Sequence, residues 1–317
     1  MATNLVRYRI GKHQHWGVVH DDAIAPLDDV YPTTAALIEH GEKDWRAACN
    51  RAANVSFQDI EILSPVTAPA RLICQGANYR QHMLESGLNP DAKTFNMFFE
   101  KSDCSLNAPF GNVRRPEHVR LLDYEIELAL VFKKPITESI TVSHETLHDY
   151  VFGITIANDI SARDIQIPES QFFKGKSYRG FCPVGPYLTI LDAAEFRYLD
   201  QLDLTLSVNG VTRQQDNTSN LVFKPAETIS ELSTFSDITP GDVLLTGTPA
   251  GCALRIPPPL MRKFMQLVLP EKKLWAMFRK SQAKRGQYLK HYDIVTAHIR
   301  SADGIINLGE QQIQIVT

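Results

Sequence analysis

Glu125 and Glu127 stand two apart in Leu-Leu-Asp-Tyr-Glu-Ile-Glu-Leu-Ala-Leu-Val-Phe, residues 121–132. A β-strand has a side-chain period of two, so both carboxylates face one side with Ala129 and Val131, while Ile126, Leu128, Leu130 and Phe132 face the other. The second half reads as buried on both faces. Like charges entering such a strand need a cation, a shared proton or hydrogen-bond donors. A second apolar run, residues 150–159, ends in Asn158 and Asp159 and adds a third carboxylate. Three carboxylates from two strand ends, completed by water and substrate oxygens, suit Mg²⁺ or Mn²⁺; Zn²⁺ would favour His or Cys. The bland alternative is an edge strand with its carboxylates in water.

The elements that must position these acids can be read coarsely. Strands are expected at Leu72 to Gln75, Tyr124 to Phe132, Val151 to Ala157, Tyr187 to Ile190, Asp203 to Val208, Val243 to Thr246, Ile294 to Ile299 and Gln312 to Val316. Asn209-Gly210 predicts a type I′ hairpin turn. Residues 1–64 predict a small α/β domain, with strands at Leu5 to Ile10 and His15 to His20 and a helical stretch from Thr33 to Ala53. The proline-punctuated stretch Ser64 to Ala70 separates it from a larger domain over 70–317. Leu260 to Lys290 is strongly basic and, between prolines, predicts two helices, either a solvated insertion or a positively charged cover or subunit contact.

At 317 residues and 44% hydrophobic content the chain is long enough for a full core. A net charge of −3 points to neither nucleic acid nor a membrane surface as partner. The start of the chain lacks a signal-peptide core and no apolar run approaches a membrane span, so a cytoplasmic location is expected. Cys49, Cys74, Cys104, Cys182 and Cys252 are scattered without a CxxC pair, as expected of reduced, structural cysteines; Cys182 and Cys252 are the alternative candidates for a reactive thiol. No Walker loop or GxGxxG occurs, and Gly247 to Gly251 forms a small-residue loop at a strand end instead.

Four motifs occur in order: Tyr124-Glu-Ile-Glu-Leu128, Asn158-Asp-Ile-Ser-Ala-Arg-Asp164, Gly175-Lys-Ser177 followed by Phe181-Cys-Pro-Val-Gly-Pro186, and Thr246-Gly-Thr-Pro-Ala-Gly251. Together they closely resemble the fumarylacetoacetate hydrolase superfamily over about residues 70 to 317. The resemblance implies an α+β fold, a mixed β-sandwich roll with the small N-terminal domain and a helical insertion near 257–290. It also implies a Mg²⁺ or Mn²⁺ site and a homodimer. Glu125, Glu127 and Asp159 fall on the metal ligands, and Lys176 falls on the lysine that steadies negative charge on the substrate. His82 and Glu85 match the His–Glu pair of a helix that orders over substrate, where Glu85 would orient the imidazole. Tyr79, Arg163, Gln166 and Thr248 match substrate-pocket positions. Relatives read Lys-Pro-Gly-Asp where this chain has Leu289-Lys-His-Tyr-Asp293, and the basic insertion precedes it, which puts the substrate in doubt more than the chemistry.

The implied activity is metal-dependent hydrolysis of a carbon–carbon bond in a small anionic acylpyruvate or related 1,3-diketo acid, for example fumarylpyruvate in aromatic catabolism. A decarboxylase or isomerase of a 2-oxo diacid would use the same enolate. A noncatalytic binding module that uses the basic insertion is the remaining class.

Overall fold

The structure, a computed structural model, describes residues 2–92, 95–255 and 269–317. Its frame is mixed α+β, and strand Ile126–Phe132 lies at its centre. This strand pairs antiparallel with Val151–Asn158 on one side and with Val243–Leu245 on the other. Its alternation sends Leu128, Leu130 and Phe132 into one core cluster and Ala129 and Val131 into another, so both faces are buried as the pattern requires.

The first core is closed by a second, five-stranded sheet built from Val211–Asn217, Leu202–Val208, Ile294–Ser301, Asn307–Val316 and Asn112–Arg114. Leu204, Leu206, Ile299 and Ile315 face Leu128 and Ile156 across this sandwich. The turn between Leu202–Val208 and Val211–Asn217 has Asn209 at φ 51° and Gly210 at φ 77°, the type I′ geometry expected from that dipeptide. The antiparallel partner that this hairpin signal marks is strand Val211–Asn217, although Thr-Arg-Gln-Gln-Asp carries no apolar alternation of its own.

The N-terminal strands continue the large sheet: Thr3–Ile10 pairs with Tyr187–Ile190, Leu5 opposite Leu188. The helical stretch expected from Thr33 to Ala53 is two short helices, Thr34–His40 and Glu42–Ala48, broken at Gly41. Their buried Leu37 and Trp45 join Ala129 and Val131 in the second core. Of the two helices expected in the basic segment, Glu271–Ala283 is present; the other falls on residues outside those described. Gln282 is the one wholly buried residue of Glu271–Ala283. Among the described residues, no helix is long and apolar enough to cross a membrane.

Candidate active site

Strand ends bring the acids together. Glu125 immediately precedes Ile126–Phe132, and Asp159 immediately follows Val151–Asn158. The side chain of Asn158 accepts the Glu125 N–H at 3.0 Å, and the Asp159 N–H donates to the Glu125 carbonyl at 2.8 Å. Adjacent antiparallel strands thereby fix the spacing of two acids that are far apart in sequence. Carboxylate oxygens of Glu125, Glu127 and Asp159 all lie within 4.8 Å of one another, and all three residues are buried.

Cations surround the acids. Lys176 Nζ donates to Glu125 at 2.5 Å and also to Asp159. Lys176 ends the short helix Phe172–Lys176, which crosses Arg163–Glu169 so closely that a Cβ on Gly175 would lie 2.7 Å from that of Gln166. Burial alone would lower the Lys176 ammonium, but Asp159 and Glu125 outweigh it and push its pKa up, so the charge is kept. Burial would likewise raise Glu125, and Arg163 with Lys176 holds it below the usual carboxylate range. Glu127 goes the other way: burial, then Asp159 and Glu125, push it well above that range. Its carboxylate accepts the Gly247 N–H at 2.7 Å from the small-residue loop, where φ is 91° and an added Cβ would meet Asn78 and Gln75 at 2.9 Å.

This arrangement fits a divalent cation. The donors are hard oxygens, and Asp123, Glu125, Glu127 and Asp159 outnumber the buried cations Lys101, Arg163 and Lys176 by one. The acid left over is the one whose ionisation is disfavoured, Glu127.

The acids open on a cavity of about 220 Å³ lined also by His82, Phe99, Arg163, Gln166, Lys176 and Thr248. Arg163 and Gln166 are joined at 2.8 Å, and the rest of the guanidinium is taken by the protein's own acids: Nε donates to Asp123 at 2.8 Å and Nη2 to Glu125. A free carboxylate clamp at Arg163 is therefore not what the structure holds. Thr248 Oγ1 accepts from Gln214 at 2.8 Å. Tyr79 does not line the cavity. With extended backbone before helix Arg80–Glu85, it pairs with Leu221 and turns its ring into the apolar core, where its hydroxyl has no partner among the described residues.

His82 reaches the site but not its expected partner. One of its ring nitrogens lies within 4.8 Å of ligand atoms of Glu125 and Cys252, and burial lowers its pKa, which favours the neutral imidazole. Its Nδ1 is buried without a hydrogen-bond partner among the described residues, whereas Glu85 accepts the Gly251 N–H at 3.2 Å and is ion-paired with Arg255. Glu85 is drawn away from the imidazole because the loop after Gly251 supplies both a donor and a full charge.

Three contributors were not read from sequence. Lys101, at the end of strand Met97–Lys101, donates to Asp159 at 2.6 Å with no exposure of either side chain; a lysine after Phe-Phe-Glu carries no signal of burial. Asp123 binds Arg163 and accepts the N–H groups of Ala253 at 2.7 Å and Leu254 at 3.1 Å; it extends the period-two series 123, 125, 127, which could have revealed it. Arg255 is the third. The Cys252 thiol lies 3.8 Å from Glu125, and burial raises its pKa well above the ordinary range. Cys182 is pushed up to about 12 by burial. Neither thiol is suited to act as a thiolate nucleophile, and all five cysteines are free.

The family model for the fumarylacetoacetate (FAA) hydrolase C-terminal domain matches residues 71–316. The chain belongs to the fumarylacetoacetate hydrolase family. Within this family it is 37% identical over 206 residues to the oxaloacetate tautomerase YisK of Bacillus subtilis, covering 64% of this chain and 67% of that one. It is 36% identical over 211 residues to the mitochondrial oxaloacetate tautomerase fahd2 of Xenopus laevis, covering 66% and 64%. The chain thus spans about two thirds of the length of these relatives. The fold matches fumarylacetoacetate hydrolase from Exiguobacterium antarcticum at a TM-score of 0.72 and 25% identity over 99% of both chains. A probable 2-hydroxyhepta-2,4-diene-1,7-dioate isomerase from Mycobacterium abscessus matches at 0.72 and 27%, over 99% of this chain and 98% of that one. The family to which the chain belongs therefore includes proteins named as isomerases and tautomerases as well as hydrolases.

Proposed function

We propose that this enzyme acts on a short 2-oxo dicarboxylic acid through its enolate, and that keto–enol interconversion of an oxaloacetate-like acid is its reaction. The observation that carries this reading is the meeting of three buried carboxylates, Lys176 and a neutral imidazole in a cavity of about 220 Å³, a volume suited to a short acid. Glu125, Glu127 and Asp159 would hold Mg²⁺ or Mn²⁺, which when bound supplies Lewis-acid polarisation of the 2-oxo acid end. The charged Lys176 stabilises the negative charge that develops on the 2-oxo oxygen. The neutral His82 imidazole takes the proton from C3 and returns it to the enol oxygen. Phe99, Ile167 and Leu254 line the same cavity and restrict water around the charged groups. The names of the two relatives described above point to the same substrate class.

Carbon–carbon hydrolysis of an acylpyruvate is the second reading, favoured by His82 and Glu85 sharing helix Arg80–Glu85 beside the cavity. It additionally requires His82 to activate a water, for which Glu85, here held by Arg255 and Gly251, must turn to the imidazole. The deciding experiment follows loss of enol absorbance from oxaloacetate and from fumarylpyruvate with Mg²⁺, Mn²⁺ or EDTA, while pyruvate release is assayed separately. Metal-dependent loss of the oxaloacetate enol without pyruvate supports tautomerisation. Stoichiometric pyruvate from fumarylpyruvate would establish hydrolysis; pyruvate with CO₂ from oxaloacetate would establish decarboxylation. The assembly expected from the resemblance is a homodimer, tested by mass in solution.

A further inference from the structure

The cations deepest in the site are committed. Arg163 serves Asp123, Glu125 and Gln166, Lys176 serves Glu125 and Asp159, and Lys101 serves Asp159 and two carbonyls. Arg255 differs. Its side chain is 34% exposed, and its ion-pair partner Glu85 is 23% exposed on a six-residue helix. Ser86 and Leu254, the chain neighbours of Glu85 and Arg255, both line the cavity, so the pair stands at its rim.

The backbone that carries Arg255 is anchored. Gln282 donates to the Arg255 carbonyl at 2.9 Å and accepts its N–H at 3.4 Å, and Tyr288 donates to Gln282 at 2.8 Å. The guanidinium is thus presented from a fixed point, while its present partner sits on a short element. Three residues before that partner, on the same helix, is His82, with Nδ1 buried and, among the described residues, unpartnered. A buried imidazole nitrogen without a partner carries a desolvation cost that a carboxylate acceptor would remove.

We propose that Arg255 binds the distal carboxylate of a dicarboxylic substrate, and that this carboxylate displaces Glu85, which then turns to His82. The exchange replaces one carboxylate by another on the guanidinium, so the charge at the rim is balanced before and after. It gives Nδ1 of His82 an acceptor only when a diacid is bound, so the substrate's second charge assembles the base. Arg255 is in this scheme a specificity residue that touches substrate, and Glu85 is a positioning residue. The inference rests on the 2-oxo diacid reading above and adds the group that selects the second acid.

The test uses the Mn²⁺-loaded full chain, with the enols of oxaloacetate and of its 4-ethyl ester as substrates, and malate and its 4-amide as unreactive ligands in calorimetry. For Arg255→Gln, kcat/KM on oxaloacetate is expected to fall about a hundredfold, the size of a charge-assisted contact, while the ester, which cannot displace Glu85 from Arg255, is expected to gain because the substitution frees Glu85 for His82. Arg255→Lys is expected to fall between. Glu85→Gln should move the two quantities in opposite senses: tighter malate binding, because Arg255 is released, and lower kcat, because His82 loses its orienting carboxylate. A purely structural ion pair would weaken both. Equal losses on diacid and ester in Arg255→Gln, or weaker malate binding in Glu85→Gln, would overturn the inference. An enzyme that prefers malate to its amide through Arg255 yet turns over neither enol would instead refute the proposed reaction and leave the carboxylate site standing.

Discussion

Lys101 Nζ lies 2.6 Å from Asp159 Oδ1, with neither side chain exposed to solvent. The ammonium also donates to the Phe181 carbonyl at 2.8 Å, so it ties the end of strand Met97–Lys101 to the acid that leads out of Val151–Asn158. Removing one member of such a pair leaves an uncompensated buried charge.

Lys101→Met is therefore expected to destabilise the protein by about 3–5 kcal/mol, read as a lower midpoint in urea. Mn²⁺ should restore part of that loss, because a bound cation would compensate Asp159. An unchanged midpoint would show that Lys101 is not needed to hold Asp159.

Glu127→Gln should separate stability from metal binding. In the metal-free protein burial and two neighbouring acids already disfavour the Glu127 carboxylate, and an amide oxygen can still accept the Gly247 N–H. The variant is expected to melt within about 1 kcal/mol of wild type without metal and to lose the thermal shift that Mn²⁺ gives wild type. Retention of that shift would remove Glu127 from the ligand set.

His82→Gln should keep Mn²⁺ binding and lower kcat by about 10²–10⁴-fold, the usual range for loss of a general base. Burial lowers the imidazole pKa, so the neutral base persists to lower pH than in a free histidine. The acid limb of kcat/KM is expected below about pH 6.5. A limb above that value would assign the limiting proton to another group.

Asp44 governs a pH effect away from the site. Its carboxylate accepts the N–H groups of Asp29 at 3.0 Å and Asp28 at 3.1 Å and pairs with Arg51 at 3.1 Å. Burial would raise its pKa, and these contacts outweigh it and lower it. A depressed folded pKa gives stability that is full above the unfolded value, about 3.9, and is lost as pH falls through the folded one. Asp44→Asn should melt below wild type at pH 7, with the gap closing as pH drops under about 4. A gap that persists at pH 3 would contradict the electrostatic origin.

Much of the frame was legible in the chain. Period-two alternation over 125–132 placed Glu127 on the face of Ala129 and Val131, and Asn209-Gly210 marked its hairpin, because both signals are local. Asp159 could be read as the end of an apolar strand for the same reason. Lys101 could not, because its burial comes from Asp159 and Phe181, which are distant in sequence.

The partner of Glu85 shows the limit most sharply. Spacing on one helix pairs it with His82, and that much follows from residues 82 and 85 alone. Whether the pair forms is a competition, and the competing donors, Gly251 and Arg255, come from a loop far along the chain. That loop is held by Asp123, Gln282 and Arg285. The sequence by itself determined the kinds of group at the site and the strands that carry the acids, because strand periodicity is a property of neighbours. Only the tertiary structure decided which charge each acid meets, because ion pairing depends on distance in space between segments that the chain order keeps apart.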